Sequence, residues 1–144
     1  MERIHATCIV IKGQGVLLRG APGSGKSDLA LRLIEDGAGL VADDYTELTS
    51  DGKTLNANAP KAIQGMLEVR GIGIVRMGCV PRAEVKALFD LVPLADIERL
   101  PDPQTETLLG IDIPLYQIHA FDASAPAKVR WALKAQQENL FHSQ

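Results

Sequence analysis

The residue types that could do chemistry are concentrated in one stretch, which reads Gly-Ala-Pro-Gly-Ser-Gly-Lys-Ser. It fits the pattern G-x-x-x-x-G-K-[ST] of a phosphate-binding loop, or P-loop. Glycines let the backbone curl so that successive N–H groups point at phosphate oxygens, and the following helix adds its positive end. The predicted nucleotide-binding residues are Gly20, Ala21, Pro22, Gly23, Ser24, Gly25, Lys26 and Ser27. Lys26 would reach the terminal phosphates and the Ser27 hydroxyl would ligate Mg²⁺.

Two adjacent aspartates, Asp43 and Asp44, form the second group that could do chemistry. They follow the short apolar run Gly39–Ala42, downstream of the P-loop. Ligands of open α/β sheets bind at the carboxyl ends of the strands. One carboxylate there could hold Mg²⁺, and the other could accept the proton of an attacking hydroxyl. An exposed acidic pair at a strand-to-turn junction is the alternative, and position alone leaves both interpretations open.

Local sequence patterns predict the elements that must hold these residues. The apolar runs Cys8–Ile11 and Val16–Leu18 flank a glycine-containing turn, which predicts a β-hairpin. Lys26–Asp36 has an apolar face of helical period, and Gly37 suits a left-handed C-cap. A strand, a glycine-rich loop and then a helix predict an α/β fold. We expect a single P-loop (Walker A) domain with a mixed, partly parallel central sheet.

The rest of the chain continues with short strands and one further helix. The predicted elements are a hairpin from Tyr45 through Leu55, a glycine-broken β-rich stretch at Gly65–Met77, a core strand at Val85–Leu94, a strand at Ile111–Ile118 and a helix at Pro126–Asn139. Pro114 interrupts the strand at Ile111–Ile118, which predicts that this strand lies at a sheet edge or contains a bulge.

Composition limits the class of protein. The 144 residues suit one domain, and 46% hydrophobic with 23% charged residues is typical of a globular chain. Lys plus Arg number 15 and Asp plus Glu 18, a net charge of −3, which gives no support to nucleic-acid binding. No apolar run approaches the roughly 18 residues of a membrane helix, and no secretory pattern opens the chain. We therefore expect a cytoplasmic protein in which Cys8 and Cys79 are buried free thiols.

Three segments in a fixed order carry a resemblance to a known family. Gly20–Asp28, Leu40–Asp44 and Leu67–Ile74 resemble the catalytic domain of HPr kinase/phosphorylase, the bacterial enzyme that acts on a serine of the phosphocarrier protein HPr. The third segment, Leu-Glu-Val-Arg-Gly-Ile-Gly-Ile, is similar to the family signature and is far more specific than the P-loop. The resemblance covers about residues 3–118, and the chain is similar to the short single-domain form of some proteobacteria.

The resemblance implies a catalytic set. Asp43 matches the family's catalytic aspartate, with Asp44 beside it, and His5 matches an active-site histidine in the strand before the P-loop. Asp43 would accept the serine proton in the kinase direction and return it in phosphorolysis, where phosphate attacks phosphoserine to give pyrophosphate. Lys26 and Arg99 are expected at the phosphates. A structural histidine is the alternative for His5, and a solvated charge is the alternative for Arg99.

The resemblance also implies ATP and Mg²⁺ as cofactors and an HPr-type phosphocarrier as the protein substrate. The sequence lacks an Asn-Lys-x-Asp segment for guanine, which also favours ATP. Asp28, which stands where the family usually has Glu, extends the nucleotide-binding loop. Glu68 is expected to ligate Mg²⁺ together with Ser27, although a solvent-facing residue of an alternating strand would give the same pattern. The implied activity is that of a protein serine kinase which regulates a phosphotransferase system, and whether the enzyme is also a phosphorylase stays open.

The resemblance further implies that residues 1–144 are the catalytic domain alone, without the N-terminal regulatory domain of longer members. The family's Pro-Gly-Arg-Asn segment, tied to substrate contact and oligomer assembly, is replaced here by Phe121–Lys128, so assembly into a homo-oligomer stays open. Two other functions also stay open: a P-loop kinase of a small metabolite, and a nucleotide sensor without catalysis. The chain shows no arginine-rich lid, which disfavours the first, and it keeps Lys26 and Asp43, which disfavours the second.

Overall fold

The computed structural model describes residues 1–142, so the last two residues of the expected domain 1–144 lie outside the described residues. Within that range are eleven strands and two α-helices. The strands are β1 (Glu2–Ile4), β2 (Ala6–Ile11), β3 (Gln14–Arg19), β4 (Gly39–Ala42), β5 (Thr46–Ser50), β6 (Leu55–Asn58), β7 (Met66–Val69), β8 (Gly73–Arg76), β9 (Ala83–Leu91), β10 (Gln104–Leu108) and β11 (Ile111–Ile118). The helices are α1 (Lys26–Glu35) and α2 (Ala125–Glu138). Neither helix is long and apolar enough to cross a membrane, a finding limited to residues 1–142.

Nine of the described strands form one mixed sheet. Its main path runs β1-β5-β6-β9-β3-β2-β4, with β11 beside β9 and β10 beside β11. The strand pairs β3–β9 and β9–β11 are parallel, whereas β2 is antiparallel to both β3 and β4. The remaining strands, β7 and β8, form a separate antiparallel hairpin. The predicted α/β fold with a mixed, partly parallel sheet is confirmed.

Strand direction determines which residues meet. Because β3, β9 and β11 are parallel, their last residues lie at the same end of the sheet, which we name the carboxyl end. β2 runs against β3, so its first residues also lie there, and β4 runs against β2, so its last residue returns to the same place. The register pairs Ala6 with Arg19 and Cys8 with Ala42. The carboxyl end therefore gathers the start of β2, the end of β4 and the loop after β3.

The core has two layers because side chains alternate across the sheet. One face packs against the helices, and its buried residues include Ile9, Val16 and Leu18 of the sheet with Leu29 and Leu33 of α1 and Val129 and Leu133 of α2. The other face packs beneath β5 and β6, and its buried residues include Cys8, Leu17, Val41, Leu48 and Leu55. Burial of each Leu-sized side chain stabilises the fold by about 1.5–3 kcal/mol. The apolar face of α1 therefore holds this helix against β2 and β3.

Most predicted elements are confirmed, and the differences have physical causes. β11 is continuous and lies between β10 and β9, so the prediction of an edge or bulge is wrong for the strand as a whole. Proline is tolerated because Pro114 pairs with β10, whereas pairing with β9 begins only at Leu115. Cys8 is buried as expected, but Cys79 is exposed, because the apolar run around it is an irregular connection rather than a strand.

Candidate active site

The P-loop joins β3 to α1, and its curvature depends on glycine. Gly23 and Gly25 have φ angles of 82° and 101°, in the left-handed region that favours glycine. A Cβ at Gly20 would lie 2.4 Å from Ser24 Oγ and 3.1 Å from the carbonyl oxygen of Leu91. The backbone N–H of Ser24 donates to the carbonyl of Ala21 at 3.0 Å, which closes a turn inside the loop. These contacts produce a tight turn that requires glycine at the positions where the sequence pattern has it.

The start of α1 offers donors to an anion. Gly25 is the N-cap, and no side chain caps the first turn within the described residues, which leaves the first N–H groups of the helix for a ligand. Lys26 is only 8% exposed, and its Nζ donates to the carbonyls of Gly20 at 2.8 Å and Ala21 at 3.3 Å. An ammonium has three N–H bonds, so one remains for a phosphate. Ser24 Oγ is buried without a hydrogen-bond partner among the described residues, a further polar atom that a phosphate would satisfy.

Asp43 lies beside this loop and is held by three elements. Its side chain is buried, at 7% exposure. Oδ1 accepts hydrogen bonds from Ser27 Oγ of α1 at 2.7 Å and from Thr7 Oγ1 of β2 at 2.9 Å. Oδ2 accepts the backbone N–H of Glu68 in β7 at 3.1 Å. The exposed-pair interpretation therefore does not describe Asp43, whose carboxylate is fixed next to the last residue of the P-loop.

Asp44 faces the opposite way from Asp43. The backbone turns sharply here, because Asp44 has a φ angle of 69° and the N–H of Tyr45 donates back to the carbonyl of Asp43 at 2.8 Å. The exposed Asp44 carboxylate meets His5, with Oδ1 2.5 Å from Nε2. The ring of Tyr45 stacks on the imidazole of His5 with centroids 5.0 Å apart. The two adjacent aspartates thus form different contacts, one with the P-loop and one with a histidine.

The remaining predicted residues differ in how close they lie to this cluster. Glu68 is adjacent through its backbone, since its N–H donates a hydrogen bond to Asp43, and its side chain is exposed. Asp28 is exposed and pairs with Arg32 at 3.0 Å, one turn further along α1. Arg99 is exposed in the connection between β9 and β10, and the described residues give it no ion pair. The roles of Asp28 and Arg99 stay predictions.

The structure adds residues that the motifs did not single out. Thr7 bridges the two aspartates, because it donates to Asp43 and its Oγ1 accepts the backbone N–H of Asp44 at 3.1 Å. Its signal in the sequence is a single hydroxyl within the apolar run Ala6–Ile11. Tyr45, the residue after the aspartates, supports His5 by stacking. Both residues depend on the β2–β4 pairing, which local sequence does not specify.

The donors present suit Mg²⁺ shared with a phosphate. Within residues 1–142 no group of three or more His, Cys, Asp and Glu residues is placed to hold a metal alone. Mg²⁺ usually keeps waters and binds through one or two carboxylates plus substrate phosphates, so a complete protein cage is not required. The Ser27 hydroxyl, 2.7 Å from the Asp43 carboxylate, is a donor set of that kind.

Comparison with protein families finds a match over most of this chain. A family model described as the HPr serine kinase C-terminal domain matches residues 1–129. The chain belongs to this family. The match extends past the region of the sequence resemblance and includes the whole mixed sheet, α1 and the start of α2.

Relatives and a solved structure support the same assignment. Proteins named HPr kinase/phosphorylase include one from Chlorobium luteolum, 36% identical in an alignment of 133 positions that covers 83% of this chain and 40% of the relative. Another, from Lactobacillus acidophilus, is 38% identical in an alignment of 127 positions that covers 80% of this chain and 39% of the relative. The chain spans about two fifths of the length of these curated relatives. The HPr(Ser) kinase/phosphatase structure from Coxiella burnetii aligns with a TM-score of 0.86 at 27% identity, covering 97% of this chain and 99% of that chain.

Proposed function

We propose that this chain is an ATP- and Mg²⁺-dependent protein serine kinase that acts on an HPr-type phosphocarrier, with phosphorolysis of the phosphoserine as its reverse reaction. One observation carries the proposal: the buried carboxylate of Asp43 accepts a hydrogen bond from the P-loop residue Ser27 at 2.7 Å. Phosphoryl transfer to a hydroxyl needs a phosphate cradle and a base beside it. Membership of the HPr kinase family supports the choice of protein substrate.

The proposed mechanism assigns a task to each residue of the cluster. The P-loop N–H groups and Lys26 hold the terminal phosphates, and Ser27 with Glu68 provides oxygens for Mg²⁺. Bound Mg²⁺ supplies charge neutralisation on the phosphates. Asp43 accepts the serine proton at Oδ2, because Oδ1 already accepts two hydrogen bonds and Oδ2 accepts one. Thr7 keeps this carboxylate oriented.

The setting of the reaction is part of the proposal. We place it in the cytoplasm, the compartment that supplies ATP, as part of the regulation of a phosphotransferase system.

The proposal also includes self-association of the chain into a homo-oligomer, which light scattering of the purified chain would measure. A monomer at the concentration that supports full transfer activity would remove self-association from the proposal.

The test uses the 144-residue chain with γ-labelled ATP, Mg²⁺ and the HPr-type carrier of the same organism. We expect label on a serine of the carrier. Asp43→Asn should lower the rate of transfer by at least about a hundredfold, because it removes the proton acceptor. The affinity for the nucleotide, measured by calorimetry, should be unchanged. The matched control is Asp112→Asn, an exposed residue near the start of β11, at the opposite end of that strand from the carboxyl end. It should transfer at the wild-type rate.

Other outcomes would contradict the proposal in different ways. Full activity of Asp43→Asn would remove Asp43 as the base. Transfer to small alcohols without any carrier protein would favour a small-metabolite kinase. Nucleotide binding without transfer to an HPr-type protein would favour a sensor that lacks catalysis.

A further inference from the structure

An aromatic side chain contacts the P-loop from the segment after β11. This segment, His119–Asp122, leaves the carboxyl end of the sheet and packs on the loop. A Cβ at Gly25 would lie 2.8 Å from the Cβ of Ala120 and 3.1 Å from Cζ of Phe121. Gly25 is the N-cap of α1, where phosphates would bind. The Phe121 ring is therefore a direct neighbour of the phosphate cradle.

The segment that carries Phe121 is anchored on several sides. Arg32 of α1 donates to the carbonyl of Asp122 at 3.1 Å and also to the carbonyl of Ala120. The backbone N–H of Asp122 donates to the carbonyl of His119 at 3.2 Å, which closes a turn. His119 Nδ1 donates to the carbonyl of Val92 at 3.0 Å, and this links the segment to the end of β9. The backbone under Phe121 is fixed to both α1 and the sheet.

The ring itself stays open to solvent. Phe121 is 57% exposed, although the His119 ring contacts it edge to face with centroids 5.8 Å apart. An exposed ring on an anchored backbone presents an apolar surface with little conformational freedom left to lose on binding. Stacking on an aromatic ring is favourable for every nucleobase, because each base has a π face. The carboxylate of the next residue, Asp122, is 3.7 Å from the Lys128 ammonium, so its charge is already paired.

We propose that Phe121 is the stacking surface for the nucleobase of the bound nucleotide. This inference rests on the proposed function, because it requires a nucleoside triphosphate with its phosphates in the P-loop. The phosphates lie at the N-cap of α1, and the base lies on Phe121, whose ring is next to that N-cap. Phe121 contributes affinity for the base, while the P-loop contributes affinity for the phosphates.

Calorimetry with two ligands separates these contributions. The 144-residue chain is titrated with ATP and with inorganic triphosphate, each with Mg²⁺. We expect Phe121→Ala to weaken ATP binding about tenfold and to leave triphosphate binding unchanged. Phe121→Tyr should restore ATP affinity, and Phe121→Leu, which keeps bulk against Gly25, should not. Trp131→Ala, which removes an exposed aromatic ring from α2, is the matched control and should bind both ligands as the wild type does.

The remaining outcomes overturn the inference. Unchanged ATP affinity in Phe121→Ala, with a raised KM for the carrier protein, would make Phe121 a protein contact. If Phe121→Ala weakened the binding of ATP and of triphosphate equally, Phe121 would support the conformation of the P-loop and would not bind the base. If the wild type bound triphosphate as tightly as ATP, the base would contribute no affinity. The inference about Phe121 would then be wrong, and the proposed function would be unaffected. Wild-type binding of neither ligand would overturn the proposed function as well.

Discussion

Thr7 shows how one hydroxyl distinguishes two neighbouring carboxylates. A hydroxyl both donates and accepts hydrogen bonds, and Thr7 donates to the side chain of Asp43 while accepting from the backbone of Asp44. This pair of bonds directs Asp43 inward to Ser27 and leaves Asp44 outward against His5. A base that must meet a substrate hydroxyl needs this kind of support from a neighbouring side chain.

Thr7→Val should lower kcat about tenfold with little change in the KM for ATP. Valine keeps the shape of threonine, but it leaves Asp43 with one donor fewer and the N–H of Asp44 without its acceptor. The same change should lower the free energy of unfolding by about 1–2 kcal/mol. Thr7→Ser should restore kcat, because serine returns the hydroxyl. Steady-state kinetics of all three proteins would check this, and an unchanged kcat in Thr7→Val would show that Asp43 is positioned without Thr7.

The two thiols should differ strongly in reactivity. Burial raises the pKa of the Cys8 thiol to about 12, whereas Cys79 is exposed. The thiolate is the reactive form, so a thiol reagent at pH 8 should modify one cysteine in the native protein and two in denaturant. Cys79→Ser should leave no rapidly reacting thiol in the native state. Rapid modification of that variant would show that β2 opens to solvent.

At the scale of elements, local sequence predicts which elements form and leaves much of their pairing open. The hairpin before the P-loop, the helix after it and the strand before Asp43 follow from patterns within a few residues. β9 pairs with β11, where paired residues such as Leu88 and Leu115 are 27 positions apart, and with β3, where Leu17 and Leu88 are 71 positions apart. The period of hydrophobic residues within a strand does not specify which distant strand it pairs with. The glycine-dependent turn between β3 and α1 was therefore predictable from sequence. The approach of Phe121 to Gly25 was not, because it depends on where β11 ends in the sheet.

An ion cluster joins three strands near the carboxyl end. Arg19 at the end of β3 donates to Asp90 of β9 at 2.7 and 3.0 Å and to Glu106 of β10 at 2.5 and 2.8 Å. The hydrogen bonds from Arg19 lower the pKa of Glu106 below its ordinary 4.5. A carboxyl group whose pKa is lower in the folded state stabilises the fold above its unfolded pKa. That contribution is lost as the pH falls through the folded value.

Glu106→Gln should therefore destabilise the protein in a pH-dependent way. At pH 7 the free energy of unfolding should fall by about 1 kcal/mol, a modest value because the pair is partly exposed. The difference from the wild type should shrink as the pH falls below 4.5, where the wild-type carboxyl itself becomes protonated. Urea denaturation of both proteins across this range would measure it. A difference that is constant with pH would mean that glutamine disturbs packing rather than charge.

At the scale of the whole molecule, the candidate site and the core share the same elements. α1 begins with the P-loop residues Lys26 and Ser27, and its buried residues Leu29 and Leu33 pack on the sheet. Asp43 accepts hydrogen bonds from residues of α1, β2 and β7, so the site connects the sheet, the helix and the β7–β8 hairpin. A ligand that holds these elements together binds only the folded chain. Its binding free energy therefore adds to the stability of the entire domain.

ATP with Mg²⁺ should raise the melting temperature of the whole domain in a single transition. At a free concentration one hundred times its Kd, the ligand stabilises the folded state by about 2.7 kcal/mol, which for a chain of this size raises Tm by about 5–10 °C. Lys26→Met should abolish most of this shift, because it removes the ammonium that meets the phosphates. Lys53→Met, an exposed lysine in the β5–β6 turn, should keep the shift in full. Differential scanning calorimetry at several ATP concentrations would measure both, and a full shift in Lys26→Met would place ATP somewhere other than the P-loop.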